Sequence, residues 1–174
     1  MLDLIIKNGD CYIEGKLNKT NIGIQNGKIS IIGDLNNEQS KETIDASNLL
    51  VLPGCMDTQV HFREPGSTNA EDLHTGSKAA IAGGITSVFE MPNTNPPTAN
   101  MKEFNNKLNL AKGRMYSNYA FYFGATPDNS TELSKLKGLD GCCGVKLFAG
   151  SSTGNLLVDK EEDIEKVFQN TSKI

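Results

Sequence analysis

Leu52-Pro53-Gly54-Cys55-Met56-Asp57-Thr58-Gln59-Val60-His61-Phe62-Arg63 takes the chain from an apolar run into a cluster of polar groups, and its reading decides the fold. Asn48-Leu49-Leu50-Val51-Leu52 predicts a buried strand that runs into the turn signal Pro53-Gly54. Beyond the turn, Met56, Val60 and Phe62 alternate with polar residues. If that segment is extended, Asp57, Gln59, His61 and Arg63 share a face, because alternate side chains of a strand do. A carboxylate, an amide, an imidazole and a guanidinium at the end of a buried strand are costly without partners or a ligand. The stretch therefore reads as a site. The alternative is an edge pair of His and Arg open to water, and the stretch alone leaves both open.

Outward from it, the pattern differs on the two sides. Toward the N-terminus, Leu4-Ile5-Ile6 and Cys11-Tyr12-Ile13 flank Asn8-Gly9, and Ile22-Gly23-Ile24 and Ile29-Ser30-Ile31 flank Asn26-Gly27. Asn-Gly supplies the two positive-φ positions of a tight hairpin turn, so residues 2–50 predict a small antiparallel sheet, with 36–42 a polar loop. Such a sheet needs a partner surface to be stable. Toward the C-terminus, strands alternate with helical stretches. Asn69 or Thr68 can cap a helix over 70–82 that Gly83-Gly84 ends, and Thr86 to Met91 is the next strand. A helix over 100–111, a strand over 119–124, a short helix over 131–137, a strand over 144–148 and a helix over 160–169 follow. Four strand-then-helix units imply a parallel sheet with right-handed crossovers, either open and doubly wound or part of a barrel. A complete eight-unit barrel takes about 250 residues, more than this chain has. In both architectures functional groups gather at the C-terminal ends of the strands, where His61, Arg63, Asn93 and Lys146 fall.

Composition narrows the function classes. The 174 residues are 37% hydrophobic with a net charge of −4, and no basic cluster suggests a nucleic-acid surface. No apolar run reaches membrane-spanning length and the N-terminus lacks a secretory layout, so the expected compartment is the cytoplasm, with no membrane partner. Cys11, Cys55, Cys142 and Cys143 form no CxxC pair and read as reduced, mostly buried thiols. The histidines are His61 and His74, too few for a site built from imidazoles. His74 reads as a solvated helix residue, and Ser151-Ser152-Thr153-Gly154 lacks the lysine-terminated form of a phosphate loop.

Three motifs, Pro53 to Gly66, Ala82-Gly83-Gly84-Ile85-Thr86 and Met91-Pro92-Asn93-Thr94-Asn95-Pro96-Pro97-Thr98, in this order and spacing resemble the dihydroorotases of the cyclic amidohydrolase superfamily. The likeness runs from the N-terminal sheet to about Val158. It implies an α/β protein: a small N-terminal β-sandwich portion over 1–50, then over 51–174 the first half of a metal-dependent-hydrolase (β/α)8 TIM-like barrel. It also implies one or two Zn2+ ions at the barrel mouth. There the metal lowers the pKa of water and polarises the ring amide of dihydroorotate, giving N-carbamoyl-aspartate in pyrimidine biosynthesis.

The residues carried over are few. His61 matches the second of two histidine ligands on the first strand, and Gln59 stands where the family has the first. A neutral amide oxygen is a poorer zinc ligand, so metal binding is expected to be weakened or lost. Arg63 and Asn93 match positions that hold the substrate carboxylate, for which a planar fork of donors suits the geometry. Lys146 matches a lysine that becomes a metal-bridging carbamate, and its apolar neighbours Val145, Leu147 and Phe148 favour the reactive neutral amine. The bland counterparts are a surface ion pair for Arg63, a turn residue for Asn93 and a packed stem for Lys146. The general base and remaining ligands are expected beyond Ile174, so no catalytic residue is expected within the chain. Three readings follow: the front part of a dihydroorotase, incompetent alone; a related ring amidohydrolase such as a hydantoinase; or a non-catalytic half-barrel. Partner expectations are a homo-oligomer or association with aspartate transcarbamoylase.

Overall fold

The structure, a computed structural model, describes residues 1–150 and 156–172. The chain forms two compact units, Met1–Pro53 and Gly54–Ile174.

The first unit is a single sheet of β1 (Leu2–Ile13), β2 (Lys16–Gln25), β3 (Lys28–Gly33), β4 (Ser40–Asp45) and β5 (Leu50–Val51). The order is β3-β2-β1-β4, with β5 also pairing with β1. Asn26 (φ 52°) and Gly27 (φ 71°) form the β2–β3 turn as their residue types require. Asn8-Gly9, the same dipeptide, does not turn the chain: it lies inside β1 at a register shift between Ile6 and Gly9. The hairpin falls instead at Glu14-Gly15, φ 50° and 80°. Gly9 sits at the bulge because another chain segment approaches there, and a Cβ on it would stand 2.6 Å from Val51 Cγ2. The sheet is also mixed rather than antiparallel, because β4 and β5 both pair with β1 in parallel. Part of the expected 36–42 loop is thus strand, and the expected buried strand over 48–52 shrinks to two paired residues with Leu49, Leu50 and Leu52 exposed.

The second unit alternates β6 (Cys55–Val60), α1 (Leu73–Ala82), β7 (Ile85–Glu90), α2 (Met101–Ala111), β8 (Asn118–Gly124), α3 (Ser130–Leu133), β9 (Cys142–Lys146) and α4 (Glu161–Thr171). Its strands pair in parallel in chain order, β6-β7-β8-β9. A doubly wound sheet reverses its order at a switch point, whereas unbroken sequential order is that of a barrel wall. The sheet is half of such a wall.

Local signals set these elements. Asp72, not Asn69, caps α1: its carboxylate accepts from Thr75 N while Thr75 Oγ1 accepts from Asp72 N. Gly83 and Gly84 (φ 84°) end that helix, and Asn100 caps α2. Leu73, Val88, Phe104, Ala111, Phe121, Phe123, Leu133 and Val167 pack as one core between helices and strands. Val88 and Glu90 alternate onto that face, so Glu90 is driven into the layer beneath the helices. Phe89 points to the other face and meets Tyr122 edge-on at 6.2 Å.

Candidate functional site

Strand β6 stops at Val60, and residues 61–64 continue past its C-terminal end. Phe62 (6% exposed) and Glu64 (7%) turn into the protein, leaving His61 half-buried and Arg63 exposed between them. Each buried side chain is held. A Cβ on Gly76 would run into the Phe62 ring, so the bare glycine of α1 is what lets Phe62 seat against the helix. Glu64 accepts from Leu73 N at 2.9 Å and from both terminal nitrogens of Arg114, at 2.8 and 3.1 Å. That two-pronged pair fixes the segment in direction as well as place.

Arg63 itself has φ 62°, in the left-handed region. The expected run of extended residues through Arg63 is therefore broken, and Asp57, Gln59, His61 and Arg63 do not form one continuous strand face. Asp57 turns back to accept from Gln59 N at 2.9 Å, and the Gln59 side chain is exposed with no hydrogen bond among the described residues. A bulky residue at positive φ costs of order 1–3 kcal/mol, and such strain gathers at functional positions. Arg63 makes no ion pair with any carboxylate of the described residues.

A second loop, after β7, closes on the first. Met91 N donates to Val60 O at 3.0 Å and Asn95 N to Pro65 O at 3.0 Å. Gly66 (φ 117°) would place a Cβ 2.8 Å from that of Asn95, so the loops touch at bare backbone. Between these ties stands Asn93, whose side chain hydrogen-bonds His61. Lys146, the last residue of β9, lies 5.0 Å from the Phe148 ring centroid and is near enough to act on His61. His61, Arg63, Asn93 and Lys146 thus lie at or just past the strand ends, with Asn93 bonded to His61 and the charges of Arg63 and Lys146 acting on it. Ser151 to Gly154 lie outside the described residues.

The electrostatics of the cluster are cationic. Burial holds the His61 pKa below the ordinary imidazole value, and Arg63, Lys107 and Lys146 push it the same way, opposed by the Asn93 hydrogen bond. His61 is therefore a neutral imidazole near neutral pH, the form that ligates metals. Its donor chemistry and that of a carbamylated Lys146 suit Zn2+. Among the described residues no group of three or more His, Cys, Asp or Glu gathers to complete a metal site. His74 is a residue of α1 whose ring meets that of Tyr116 edge-on at 5.1 Å. Of the thiols, Cys11 is buried, Cys142 and Cys143 are half-buried and Cys55 is exposed; all are free.

Lys107 was not singled out by sequence reasoning, nor was its partner Glu90. Their side chains are 0% and 1% exposed and 2.7 Å apart. Burial pushes the Glu90 carboxyl up to about 7 and the Lys107 amine down, each countered by the other's charge. The signal was present. Lys107 stands three residues after Phe104 and four before Ala111, on the apolar stripe of α2, where a charge needs a buried partner.

Comparison with known proteins gives the same architecture. The model of the Amidohydrolase family matches residues 50–166. A dihydroorotase of Methanosarcina mazei is 39% identical over 175 residues, covering all of this chain and 38% of the relative. An allantoinase of Rubrobacter xylanophilus is 37% identical over 163 residues, covering 93% of this chain and 35% of the relative. The L-hydantoinase (dihydropyrimidinase) from Arthrobacter aurescens superposes with a TM-score of 0.91 at 29% identity, over 99% of this chain and 39% of that one. The chain thus spans well under half the length of the relatives it matches. No helix among the described residues is long and apolar enough to cross a membrane. With the family match extending from the end of the first unit into α4, and with four sequential parallel βα units whose strand ends gather the polar cluster, the chain belongs to the amidohydrolase family.

Proposed function

We propose that this chain supplies the substrate-carboxylate grip, and part of the metal centre, of a cyclic amidohydrolase that opens dihydroorotate to N-carbamoyl-aspartate and closes it in reverse. The observation that carries this reading is Arg63: exposed, in a left-handed backbone conformation, beside His61, and free of carboxylate partners among the described residues. A guanidinium placed at such cost among other cations suits an anionic ligand that arrives from solvent. Asn93, at His61, orients the same carboxylate. Zn2+, when bound, would supply Lewis acidity to the ring amide. His61 and Lys146 as carbamate are the residues of this chain that would hold it, and Gln59, where the family has its first histidine, would be the poorer donor. The dihydroorotase of Methanosarcina mazei, matched along the whole of this chain, supports the choice of substrate. The reaction belongs to the cytosol on this reading.

A second reading, a hydantoinase-like or allantoinase-like specificity, is favoured by the close superposition on an L-hydantoinase. Neutral rings such as hydantoin carry no carboxylate for Arg63. Rates of ring opening of L-dihydroorotate, hydantoin and allantoin, measured on the protein as its source makes it, separate the two. Preference for dihydroorotate that disappears in Arg63→Gln supports the proposal. Equal rates on hydantoin, or indifference to the substitution, overturn it.

A further inference from the structure

We propose that Asn129 is a positioning residue for the site, a side chain that holds the loop carrying Asn93 against the end of β8. Asn129 directly precedes α3, where an asparagine ordinarily caps the helix by accepting from an amide of its first turn. Here it does not. Its backbone, at φ −105° and ψ 7°, leaves the extended conformation of a cap, and its side chain makes no capping hydrogen bond. The buried carboxamide is used elsewhere. Its Oδ1 accepts from Thr126 N at 2.8 Å, and its Nδ2 donates to Gly124 O and to Ala99 O, both at 2.9 Å. Gly124 is the last residue of β8, and Ala99, thirty residues before Asn129, ends the loop between β7 and the Asn100 cap of α2.

What Asn129 fastens is the frame of Asn93. Gly124 N donates to Thr98 O at 2.8 Å, and Thr94 N and Thr98 N both donate to Pro92 O at 2.9 Å. Residues 92–98 therefore form a closed turn with Asn93 inside it and its return leg bonded to β8. Pro92 packs on the bare backbone of Gly124, where a Cβ would stand 3.2 Å from that of the proline. Ala125 N donates to Lys146 O at 2.9 Å, so the same short segment also borders the end of β9. The Oδ1 bond of Asn129 would serve its own local turn alone. The Nδ2 bonds do more, because they join the connection after β8 to the connection after β7. A short side chain with an acceptor and two donors is what the position requires, and a carboxamide is the group that supplies both. Being buried, Asn129 acts through the backbone it holds.

The role assigned to Asn93 rests on the proposed function, but the first readout needs no ligand. In the protein as its source makes it, native-state hydrogen exchange is followed at the Thr94 and Thr98 amides and, as a reference, at the Phe104 amide of α2, in wild type, Asn129→Ala and Asn129→Asp. Aspartate keeps an acceptor for Thr126 N and has no donor for the two carbonyls. Both variants should speed exchange of Thr94 and Thr98 about tenfold or more relative to Phe104. Acceleration of all three amides together, or an Asn129→Asp protein that exchanges as wild type does, overturns the proposal. The second readout is ring opening of dihydroorotate. Asn129→Ala should raise KM by about 10–100-fold with kcat changed far less, because a displaced Asn93 weakens the hold on the carboxylate in ground and transition state alike. Made in an Asn93→Ala background, the same substitution should cost little more, and an equal cost in both backgrounds overturns the proposal. If neither Asn129 variant folds, the wild type decides: exchange of Thr94 and Thr98 by local fraying overturns the proposal, and exchange through global opening supports it. Absence of dihydroorotate turnover in the wild type would sink the functional reading, and the exchange comparison would still decide whether Asn129 holds the loop.

Discussion

The two units handle their apolar surface in opposite ways. In Gly54–Ile174 every strand is followed by a helix that returns across the sheet, and the resulting layer encloses Phe104, Phe121 and Phe123 completely. In Met1–Pro53 the strands follow one another with no such return, and the enclosed core is Leu2, Ile5 and Leu35, with Ile31 against it. Tyr12, Leu17, Ile29, Ile32, Leu49 and Leu50 of the same unit stay exposed. A crossover connection carries its own cover, whereas a hairpin sheet depends on something else to provide it. The polar site follows the same division: it stands on the unit whose strand ends are fixed by a packed layer.

The largest effect that tests this contrast is loss of a ring from the layered unit. Phe104→Ala should cost about 3–5 kcal/mol in urea unfolding, the range for a buried Phe. Ile29→Ala, at a side chain 63% exposed, should stay within about 0.5 kcal/mol. A cost for Ile29→Ala approaching that of Phe104→Ala would mean that the face of the first sheet is covered in the molecule studied, and the contrast would fail.

The pH response should divide the units next. Glu90, at about 7, keeps its proton in the folded protein over a range in which the unfolded chain, near 4.5, has lost it. The folded state binds more protons there, so its contribution falls as pH rises from 4.5 to about 7, by on the order of 3 kcal/mol at most. Asp3 and Asp45 of the first unit go the other way. Lys41 holds the Asp3 carboxyl below its usual value, and Ser47 and Asn8 do the same for Asp45. Their contribution is present above pH 3.8 and is lost as pH falls through their folded values. Urea midpoints of wild type and Glu90→Gln across pH 4.5–7 check the first claim: the variant should show the shallower decline, and parallel curves would refute it.

Much of this was legible in the sequence where a local signal had one meaning. Gly83-Gly84 ends α1, Asn100 caps α2, and the strand-helix alternation gives the order of the half-barrel. Legibility failed where one signal has two physical outcomes. Asn26-Gly27 turns a hairpin while Asn8-Gly9 makes a bulge, because both place the asparagine at positive φ and the partner strand decides which. The parallel pairing of β4 and β5 with β1 is long-range and leaves no periodic trace. At the site, motif order pointed to His61, Arg63, Asn93 and Lys146, which fall at or just past the strand ends. Alternation, however, placed Arg63 on an extended face that its backbone leaves. Glu90 and Lys107, seventeen residues apart in the chain, are matched across a strand and a helix, where no local pattern joins them.

Backbone strain gives the smallest and sharpest version of the contrast. The positive-φ residues other than glycine in the first unit are Asn8, Glu14, Asn26 and Asn48, and in the second, among the described residues, Arg63. Asparagine tolerates this region because its short side chain bonds its own backbone; arginine has no such relief. Glycine at position 63 would remove a strain of about 1–2 kcal/mol and give back about 0.5–1 kcal/mol through the greater freedom of the unfolded chain. Arg63→Gly should therefore raise stability by up to about 1 kcal/mol, while Asn26→Gly should change it by a few tenths at most. The same Arg63→Gly protein should lose dihydroorotate ring opening by about a hundredfold or more, since a charge-assisted pair to the carboxylate is gone. Urea midpoints and initial rates measured on one preparation separate the outcomes. A variant that is less stable and equally active would show that Arg63 holds its conformation for the fold; a more stable, inactive one would show that the conformation is kept for the ligand, at the expense of the fold that carries it.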